Sequence, residues 1–285
     1  MPETLGGQEQ PADHYMTGAP VLVKAVAILE AFTQGPSALG GREIARRAGL
    51  PSSTTHRMLS QLVETGFLER QGTKYRVGLK LFEVGNYAAF CEPGGMRDTA
   101  LPFLSSMYVR GGDCVVTLAV RSDNRILCVE KIRGHSSPRT ETRVGWPIPA
   151  TQTSLGKVIL AFSPAGVVKS IVGQGLMRST PFSVHHPAQL LEQLDDIRSS
   201  GVSFDNQEAV LGLSGVAAPV FIDDEIVASI ALTQPTSTFK SEYAKQLVVS
   251  TAQQLSKALQ RGAERRKYMP LEQIGPIQLT QGFVK

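Results

Sequence analysis

The sequence predicts an α+β chain of two domains: an N-terminal winged helix-turn-helix and a C-terminal mixed α/β domain with an antiparallel sheet. Three observations support this. Helical patterns fill residues 21–65, a short strand pair follows them, and beyond residue 95 strands and helices alternate. At 285 residues the chain is long enough for two domains that each bury a core.

The N-terminal part begins with a helix and ends with a hairpin. In VLVKAVAILEAF, apolar residues recur at the spacing of an amphipathic helix, which Gly35-Pro36 ends. REIARRAGL and PSSTTHRMLSQLVETGFL are two further helical patterns, separated by Gly49. FLERQGTKYRVG then indicates two short strands around Gln71-Gly72-Thr73. This order is typical of a winged helix.

Two positions predict a helix-turn-helix. Ala45 is small enough for the crossing of the second and third helices, and Gly49 tolerates the positive φ of a sharp turn. We expect Thr55 to point inward, where a larger aliphatic residue is more usual. The other residues expected to face the core are Ile44, Ala48, Leu50, Met58, Leu59 and Leu62.

The opposite face of the third helix is polar and is the candidate DNA-contacting surface; it also exposes Gln61. We expect Arg57 and His56 to contact bases or phosphates, and Ser52 or Ser53 to cap the helix. The wing tip is expected to reach a flanking phosphate. The candidate DNA-binding residues are Arg42, Arg46, Ser52, Ser53, Thr54, His56, Arg57 and Lys74.

The charge distribution agrees with this assignment. The net charge of the chain is only +4, but residues 40–80 contain eight Lys or Arg and three Glu. A solvated helix surface would also explain the excess, and three helices alone are compatible with a plain bundle. The spacing of Ala45 and Gly49, together with the hairpin, favours DNA binding.

The remaining elements follow in order. LKLFEVGNYAAFCE predicts a linker helix that ends at Pro93-Gly94-Gly95. Two hairpins are expected, CVVTLAV with RILCVEKI around Ser122-Asp123-Asn124, and SGVAAPVFI with EIVASIALT around Asp223-Asp224. Helices are expected at 96–110, in SLGKVILAF, in PAQLLEQLDDIRSS with Pro187 first, and at about 241–266.

The expected domain boundaries are a disordered leader at 1–18, the winged helix-turn-helix at 19–78, the linker helix at 79–95, the larger domain at 96–268 and an unassigned tail at 269–285.

Composition argues against several classes of protein. Cys91, Cys114 and Cys128 lack C-x-x-C spacing, which indicates buried thiols in a reducing cytosol. No apolar run nears the ~18–20 residues that span a bilayer, and the polar N-terminus lacks a secretion signal, so a cytoplasmic protein without membrane contact is expected. No metal site is expected, since the adjacent His185 and His186 would point apart on a helix or strand.

Two enzyme motifs are incomplete. Ser154-Leu155-Gly156-Lys157 matches the S-x-x-K of penicillin-binding enzymes, but the companion S-D-N and K-T-G motifs are absent. Gly173-Gln174-Gly175 lacks the third glycine of a nucleotide-binding loop, because Arg178 stands there. We therefore predict no catalytic residue and no cofactor.

A ligand site is predicted near Ser154. TQTSLGKVIL changes there from loop to helix, and Gly156 permits a close backbone approach. The free N–H groups at a helix start favour a carboxylate.

Six segments together resemble the isocitrate lyase regulator (IclR) family over about residues 20–265: KAVAILEAF, EIARRAGLPSSTTHRMLSQLVETGFLER, YRVGLKLFEVG, GWPIPATQTSLGKVILAF, FDNQEAVLGLSGVAAPVF and IVASIALTQP. The resemblance implies a winged helix-turn-helix, a linker helix and a GAF-like effector domain. It also implies homodimers, often paired into tetramers on double-stranded operator DNA. Such proteins repress or activate a nearby operon in response to a small metabolite, frequently a carboxylate or an aromatic catabolite.

The resemblance further implies effector contacts at Ser154, Leu155, Asp205, Gly215, Ala231 and Thr233. Asp205 would repel an anionic ligand unless it is protonated or accepts a hydrogen bond from a hydroxyl or amide. Several members that bind very small keto acids carry Cys and Ser in place of Gly215 and Ala231. A roomier, more apolar pocket and a larger or aromatic ligand are therefore expected here. Ordinary packing is the alternative for these residues.

Effector binding is expected to shift the population of C-terminal dimer arrangements, and the helix at 79–90 to transmit the change to the DNA-reading heads. One alternative class remains open: a GAF-like small-molecule-binding or catalytic protein whose helical domain only oligomerises.

Overall fold

A computed structural model describes residues 18–33, 35–87, 95–123, 125–140 and 142–268, with the backbone alone from 264 onward. Most of the predicted leader, Cys91, the Pro93-Gly94 joint, Asn124 and the tail lie outside the described residues. The chain divides into two compact units, residues 1–89 and residues 90–285.

The N-terminal unit has the predicted order of three helices and a hairpin. Its elements are α1 (Val21–Glu30), β1 (Ala38–Gly40), α2 (Gly41–Ala48), α3 (Ser52–Glu64), β2 (Leu68–Gln71), β3 (Lys74–Val77) and α4 (Leu79–Gly85). Strand β1 was not predicted, because three residues are too few to show an alternating pattern. It pairs antiparallel with β3, which gives a sheet in the order β1-β3-β2.

The helix-turn-helix geometry is confirmed. Gly49 adopts φ 61° and ψ 35°, the left-handed conformation that ends α2 without strain. All the residues expected to face inward are buried, together with Ala45 and Thr55. Ile28 from α1 and Leu68 from the wing complete this core, and burial of each such side chain contributes roughly 1.5–3 kcal/mol.

The predicted serine cap is wrong. Helix α3 already begins at Ser52, and Pro51 occupies the cap position without a side-chain hydrogen bond. Thr55 donates its hydroxyl to the Pro51 carbonyl at 3.0 Å. The hydroxyls of Ser52 and Ser53 therefore lie on the exposed surface of the first turn.

Helix α4 covers only the start of the predicted linker helix. It ends at Gly85, and Asn86 and Tyr87 form a turn. Residues 88–94 lie outside the described part of the chain.

The C-terminal unit is a six-stranded antiparallel sheet with helices on both faces. Its elements are α5 (Met96–Gly111), β4 (Val115–Ser122), β5 (Arg125–Arg133), β6 (Pro147–Ile148), α6 (Ser154–Ala161), α7 (Ala165–Gly173), α8 (Pro187–Ser200), β7 (Ser203–Asn206), β8 (Leu213–Ile222), β9 (Glu225–Pro235) and α9 (Ser241–Tyr268). The strand order is β6-β5-β4-β9-β8-β7. The α+β class and both predicted hairpins are confirmed, and Asp223 and Asp224 adopt the positive φ angles of a tight two-residue turn.

The two faces of the sheet pack against different helices. Leu118 and Val120 on β4 belong to the core that includes α5 and α9, whereas Ala119 belongs to the core that includes α6 and α8. Because side chains alternate between the two faces of a strand, every second side chain faces the side of the sheet on which α6 lies. No helix among the described residues is both long and apolar enough to cross a membrane.

Candidate functional site

Strand register brings distant residues into one row on the α6 side of the sheet. Asp205 on β7 lies opposite Gly215 on β8, which lies opposite Thr233 on β9, which lies opposite Val115 on β4. Residues directly opposite in antiparallel strands share a face and lie close together. The row therefore joins residues that are far apart in sequence.

Helix α6 starts against this row. Thr153 caps the helix by accepting the Gly156 N–H at 3.1 Å, and its hydroxyl donates to the Pro149 carbonyl at 2.7 Å. A Cβ at Gly156 would lie 2.4 Å from the Ala150 carbonyl oxygen, so only glycine fits. Since the first-turn N–H groups of a helix have no intrahelical partner, those of Ser154 and Leu155 can serve a ligand.

A cavity of about 310 Å³ lies at this helix start and is called the α6 cavity. Its walls combine apolar side chains with a few polar groups. The lining residues are Val115, Thr117, Thr140, Thr142, Trp146, Pro147, Ile148, Pro149, Gln152, Thr153, Ser154, Leu155, Met177, Ser179, Asp205, Ala209, Val210, Leu213 and Thr233. The structure thus brings together four of the six effector residues proposed from sequence. Such a mixed lining is typical of small-molecule sites.

Gly215 and Ala231 are not among the lining residues. A Cβ at Gly215 would lie 3.1 Å from Thr233 Oγ1 and 3.4 Å from Ser154 Oγ, so these neighbours fill the space that a side chain would take. Ala231 is buried one rung further along, between Ala217 and Thr117. Gly215 and Ala231 therefore leave space that the start of α6 occupies. They do not enlarge the α6 cavity, contrary to the expectation from the sequence.

Asp205 is the acidic group of the α6 cavity. Burial raises its pKa from an ordinary 3.8 to about 6, although hydrogen bonds from the backbone N–H groups of Glu208 and Ala209 lower it. The Glu208 N–H donates to Asp205 Oδ1 at 2.8 Å, which ties the carboxyl on β7 to the loop that follows this strand. At neutral pH the group is mostly ionised, so it acts as a hydrogen-bond acceptor.

A buried ion pair ties this loop to α6. Lys157 is 2% exposed, and its Nζ donates to Glu208 Oε1 at 2.6 Å and to Gln193 Oε1 at 3.2 Å. The Glu208 carbonyl accepts from Ser183 at 2.7 Å. Sequence reasoning missed Glu208 and did not assign this role to Lys157. The only available signal was a lysine inside an otherwise apolar helix, SLGKVILAF.

The side chain of Gln152 was also missed by sequence reasoning. Its amide donates to the Met177 carbonyl, and its Oε1 accepts from Ser179 at 2.8 Å. Gln152 and Ser179 both line the α6 cavity. This pair links the segment before α6 to the loop before α8 and adds polar groups to the wall.

The histidine pair and the cysteines complete the candidate list. His185 and His186 precede α8, and their ring centroids lie 4.1 Å apart, so the prediction that they point apart is wrong. They lie in a loop, where neither helix nor strand periodicity applies. Within the described residues, no group of three or more His, Cys, Asp or Glu could hold a metal. Burial raises the pKa of Cys114 to about 11 and that of Cys128 to about 12.

The exposed face of α3 presents the polar side chains expected from the sequence. Ser52, Ser53, His56, Arg57 and Gln61 are exposed and form what is called the α3 face, and Thr54 is half-buried.

The basic residues around the α3 face differ in their partners. Arg46 and Arg47 both bind the Glu43 carboxylate at 2.6 Å, which lowers the pKa of Glu43 to about 2. Among the described residues, Arg57 and Arg42 have no ion-pair partner. The charges of Arg57 and Arg42 are therefore not offset by a carboxylate, whereas that of Arg46 is paired with Glu43.

Strand β1 connects the wing to the start of α2. Gly40, which directly precedes α2, pairs with Lys74 on β3. The exposed Lys74 next to the wing turn and the exposed Arg42 in the first turn of α2 are thus neighbours on one edge of the N-terminal unit. No acidic partner of Lys74 is found in the described part of the chain.

Both units of the chain match models of known protein families. Residues 94–260 match the family model described as bacterial transcriptional regulator IclR C-terminal, and residues 21–72 match the IclR helix-turn-helix domain. The chain is 29% identical to the transcriptional repressor IclR of Escherichia coli K12 over 222 residues, which are 76% of this chain and 80% of that protein. It is also 29% identical to the HTH-type transcriptional repressor AllR of Klebsiella pneumoniae over 260 residues, 89% of this chain and 94% of AllR.

Solved structures show the same architecture. An IclR homologue from Microbacterium hydrocarbonoxydans, complexed with 4-hydroxybenzoate, has a TM-score of 0.78 and 27% identity, over 84% of this chain and 99% of that one. The Thermotoga maritima IclR has a TM-score of 0.68 and 27% identity, over 84% and 98% of the two chains.

Proposed function

This chain belongs to the IclR family of bacterial transcriptional regulators, and we propose that it reads operator DNA with the α3 face and senses a small hydroxylated carboxylate in the α6 cavity. It is a DNA-binding regulator with a small-molecule effector. We further propose that the protein acts as a homodimer.

The start of α6 in the wall of a cavity is the observation that supports a carboxylate effector. Two free backbone N–H groups and the positive end of the helix dipole favour an anion there. Val115, Ile148 and Trp146 offer apolar surface to the rest of the ligand. A volume of about 310 Å³ is at the small end of ligand pockets, which span roughly 300–1,000 Å³. A single aromatic ring or a short chain suits this space.

Asp205 supports a hydroxyl on the same ligand. Its carboxylate is mostly ionised at neutral pH and would repel a second anion close by. A hydroxyl on the ligand can donate a hydrogen bond to the Asp205 carboxylate, so the interaction with this group becomes attractive. The ligand carboxylate then lies at the N–H groups of Ser154 and Leu155. The 4-hydroxybenzoate in the Microbacterium homologue is a ligand of this class.

Two sets of groups support DNA contact. On α3, Arg57 has the reach and the donor pattern for a guanine edge, and the hydroxyls of Ser52 and Ser53 suit phosphates. On the neighbouring edge, Arg42 and Lys74 suit flanking phosphates. Exposed apolar side chains on α1 and α4, among them Leu22 and Phe82, support a homodimer, which would present two such units to an operator.

We propose no catalytic role for the Ser154-Lys157 motif. The Lys157 Nζ donates to Glu208 Oε1 at 2.6 Å and to Gln193 Oε1 at 3.2 Å, so the side chain is already engaged by two partners within the fold. These contacts give Lys157 a structural role.

Binding of three related compounds tests the effector class. Trp146 is the only tryptophan and lines the α6 cavity, so its fluorescence reports occupancy directly. We expect 4-hydroxybenzoate to bind about 10–100-fold more tightly than benzoate, since a hydrogen bond to a charged acceptor is lost. The carboxylate-free 4-hydroxybenzyl alcohol should also bind at least about tenfold more weakly.

Asp205→Asn supplies the matched control. The advantage of 4-hydroxybenzoate over benzoate should shrink in this variant, because the hydroxyl loses its charged acceptor. An unchanged ratio would remove Asp205 from the hydroxyl contact. Failure of all three compounds to bind would refute the effector class.

Operator binding tests the α3 face. In gel shifts with DNA flanking the gene, Arg57→Ala should weaken binding by about 1–3 kcal/mol if Arg57 reads a base. Arg125→Ala, an exposed arginine in the C-terminal unit, is the control and should bind normally. Equal affinities of the folded Arg57→Ala variant and wild type would exclude the proposed contact.

A further inference from the structure

A second cavity, of about 670 Å³, shares part of its wall with the α6 cavity and is called the basic pocket. Its basic lining residues are Lys131, Arg133, His135, Arg139 and Arg143, and no carboxylate lines it within the described residues. We propose that the basic pocket binds a small oxyanion of the phosphate class, and that its occupancy alters the wall of the α6 cavity.

The basic pocket is built by the end of β5 and the loop that follows it. The Lys131 ammonium donates to the carbonyls of Thr142 at 2.5 Å and Thr140 at 3.2 Å, which holds the returning chain against the strand. Ser137 is buried, accepts the Gly134 N–H at 2.8 Å and donates to the Cys114 carbonyl at 2.6 Å. These bonds anchor both ends of the loop, so the cavity is formed without a ligand.

The segment that lines the basic pocket carries an excess of positive charge. Residues 131–143 contain four Lys or Arg and one Glu. Burial lowers the pKa of Lys131, and the positive charges of Arg133 and Arg143 lower it further. Guanidinium groups bind phosphate oxygens in pairs of parallel hydrogen bonds. An oxyanion with two or more charges would therefore offset the repulsion among these cations.

Two physical links join the basic pocket to the α6 cavity. Thr140 and Thr142 line both cavities. The Arg143 guanidinium lies 4.6 Å over the ring of Trp146, which lines the α6 cavity. An anion that draws Arg143 toward itself changes this contact. The site stands independently of the effector class proposed above, because none of its charged groups lines the α6 cavity.

Calorimetric titration of the full-length protein with pyrophosphate tests the proposal, with Trp146 fluorescence recorded in parallel. We expect saturable binding and a fluorescence change. The double variant Arg133→Gln/Arg139→Gln should raise the dissociation constant by about tenfold or more, since charge-assisted contacts are lost. Arg125→Gln is the matched control, because this exposed arginine lies at the other end of β5. It should stay within about twofold of wild type.

Five outcomes would overturn the proposal. Absence of saturable heat and of a fluorescence change would show that no anion binds. An equal response to sodium chloride at the same ionic strength would show that only screening occurs. Unchanged affinity in the double variant would place the anion elsewhere. Tighter binding in Asp205→Asn, which removes a negative charge from the α6 cavity alone, would assign the anion to that cavity. Displacement of pyrophosphate by a non-operator DNA duplex would assign the basic residues to DNA backbone contact.

Discussion

Replacement of Asp205 by Asn should stabilise the C-terminal unit at neutral pH. The pKa of Asp205 is raised by burial from 3.8 in the unfolded chain to about 6 in the folded protein. The folded state therefore binds this proton more tightly than the unfolded state does. Asn keeps an oxygen for the Glu208 N–H, which donates to Asp205 at 2.8 Å, but it has no charge to bury.

The magnitude follows from the shift in pKa. Below pH 3.8 the carboxyl is protonated in both states and has no effect on the difference in free energy. Between pH 3.8 and 6 only the unfolded chain loses the proton, so the free energy of unfolding falls as pH rises. Each unit of pKa corresponds to about 1.4 kcal/mol, so the loss reaches about 3 kcal/mol above pH 6.

The assay is urea unfolding of wild type and Asp205→Asn between pH 3.5 and 7, followed by the fluorescence of Trp146. The advantage of the variant should grow by about 3 kcal/mol across this range, because most other titrating groups cancel in the difference. Asp123→Asn, at the exposed turn between β4 and β5, is the control for the replacement of a carboxyl by an amide at an exposed position. A flat or falling curve for Asp205→Asn would refute the argument that burial sets this pKa.

Two further substitutions test how α6 is held. Gly156→Ala places a Cβ 2.4 Å from the Ala150 carbonyl oxygen, and we expect it to lower the free energy of unfolding by about 1–3 kcal/mol and to weaken 4-hydroxybenzoate binding; normal stability and normal affinity would contradict the close approach. Lys157→Met leaves the Glu208 carboxylate buried without its cation and should cost about 3–5 kcal/mol in chemical unfolding, whereas Lys157→Met combined with Glu208→Leu should recover most of that loss; no recovery would show that the ion pair is not the cause.

Long apolar periods made the main elements predictable from the sequence. The burial pattern of α2 and α3, the positive φ of Gly49 and the hairpin of β8 and β9 all follow from local chemistry. Strands β1, β6 and β7 are two to four residues long, too short for a clear alternation, and unlike β2 and β3 they do not flank a turn such as Gln71-Gly72-Thr73. The cap of α3 was predicted one or two positions too late, at Ser52 or Ser53, because Pro51 and the preceding turn decide where the helix begins.

The site was predictable only where its chemistry is local. The start of α6 and the close approach at Gly156 follow from the order of residues around Ser154. The row of Asp205, Gly215, Thr233 and Val115 depends on the strand order β7-β8-β9-β4, which no local pattern contains. Family resemblance identified three of these positions but not Val115.

The Ser154-x-x-Lys157 spacing has a structural explanation. Ser154 lies at the first position of α6, beside Gly215 on β8. Lys157, one turn later, contacts Glu208, which lies in the loop after β7 and whose N–H donates to the Asp205 carboxyl. A ligand between the N–H groups of α6 and the Asp205 carboxylate therefore touches two elements that are already joined behind it by a buried ion pair. This ion pair resists separation of the two elements, so we expect ligand binding to displace α6 together with β7 and the loop after it, and any adjustment of the cavity to occur at other lining residues such as Thr140, Thr142 and Trp146.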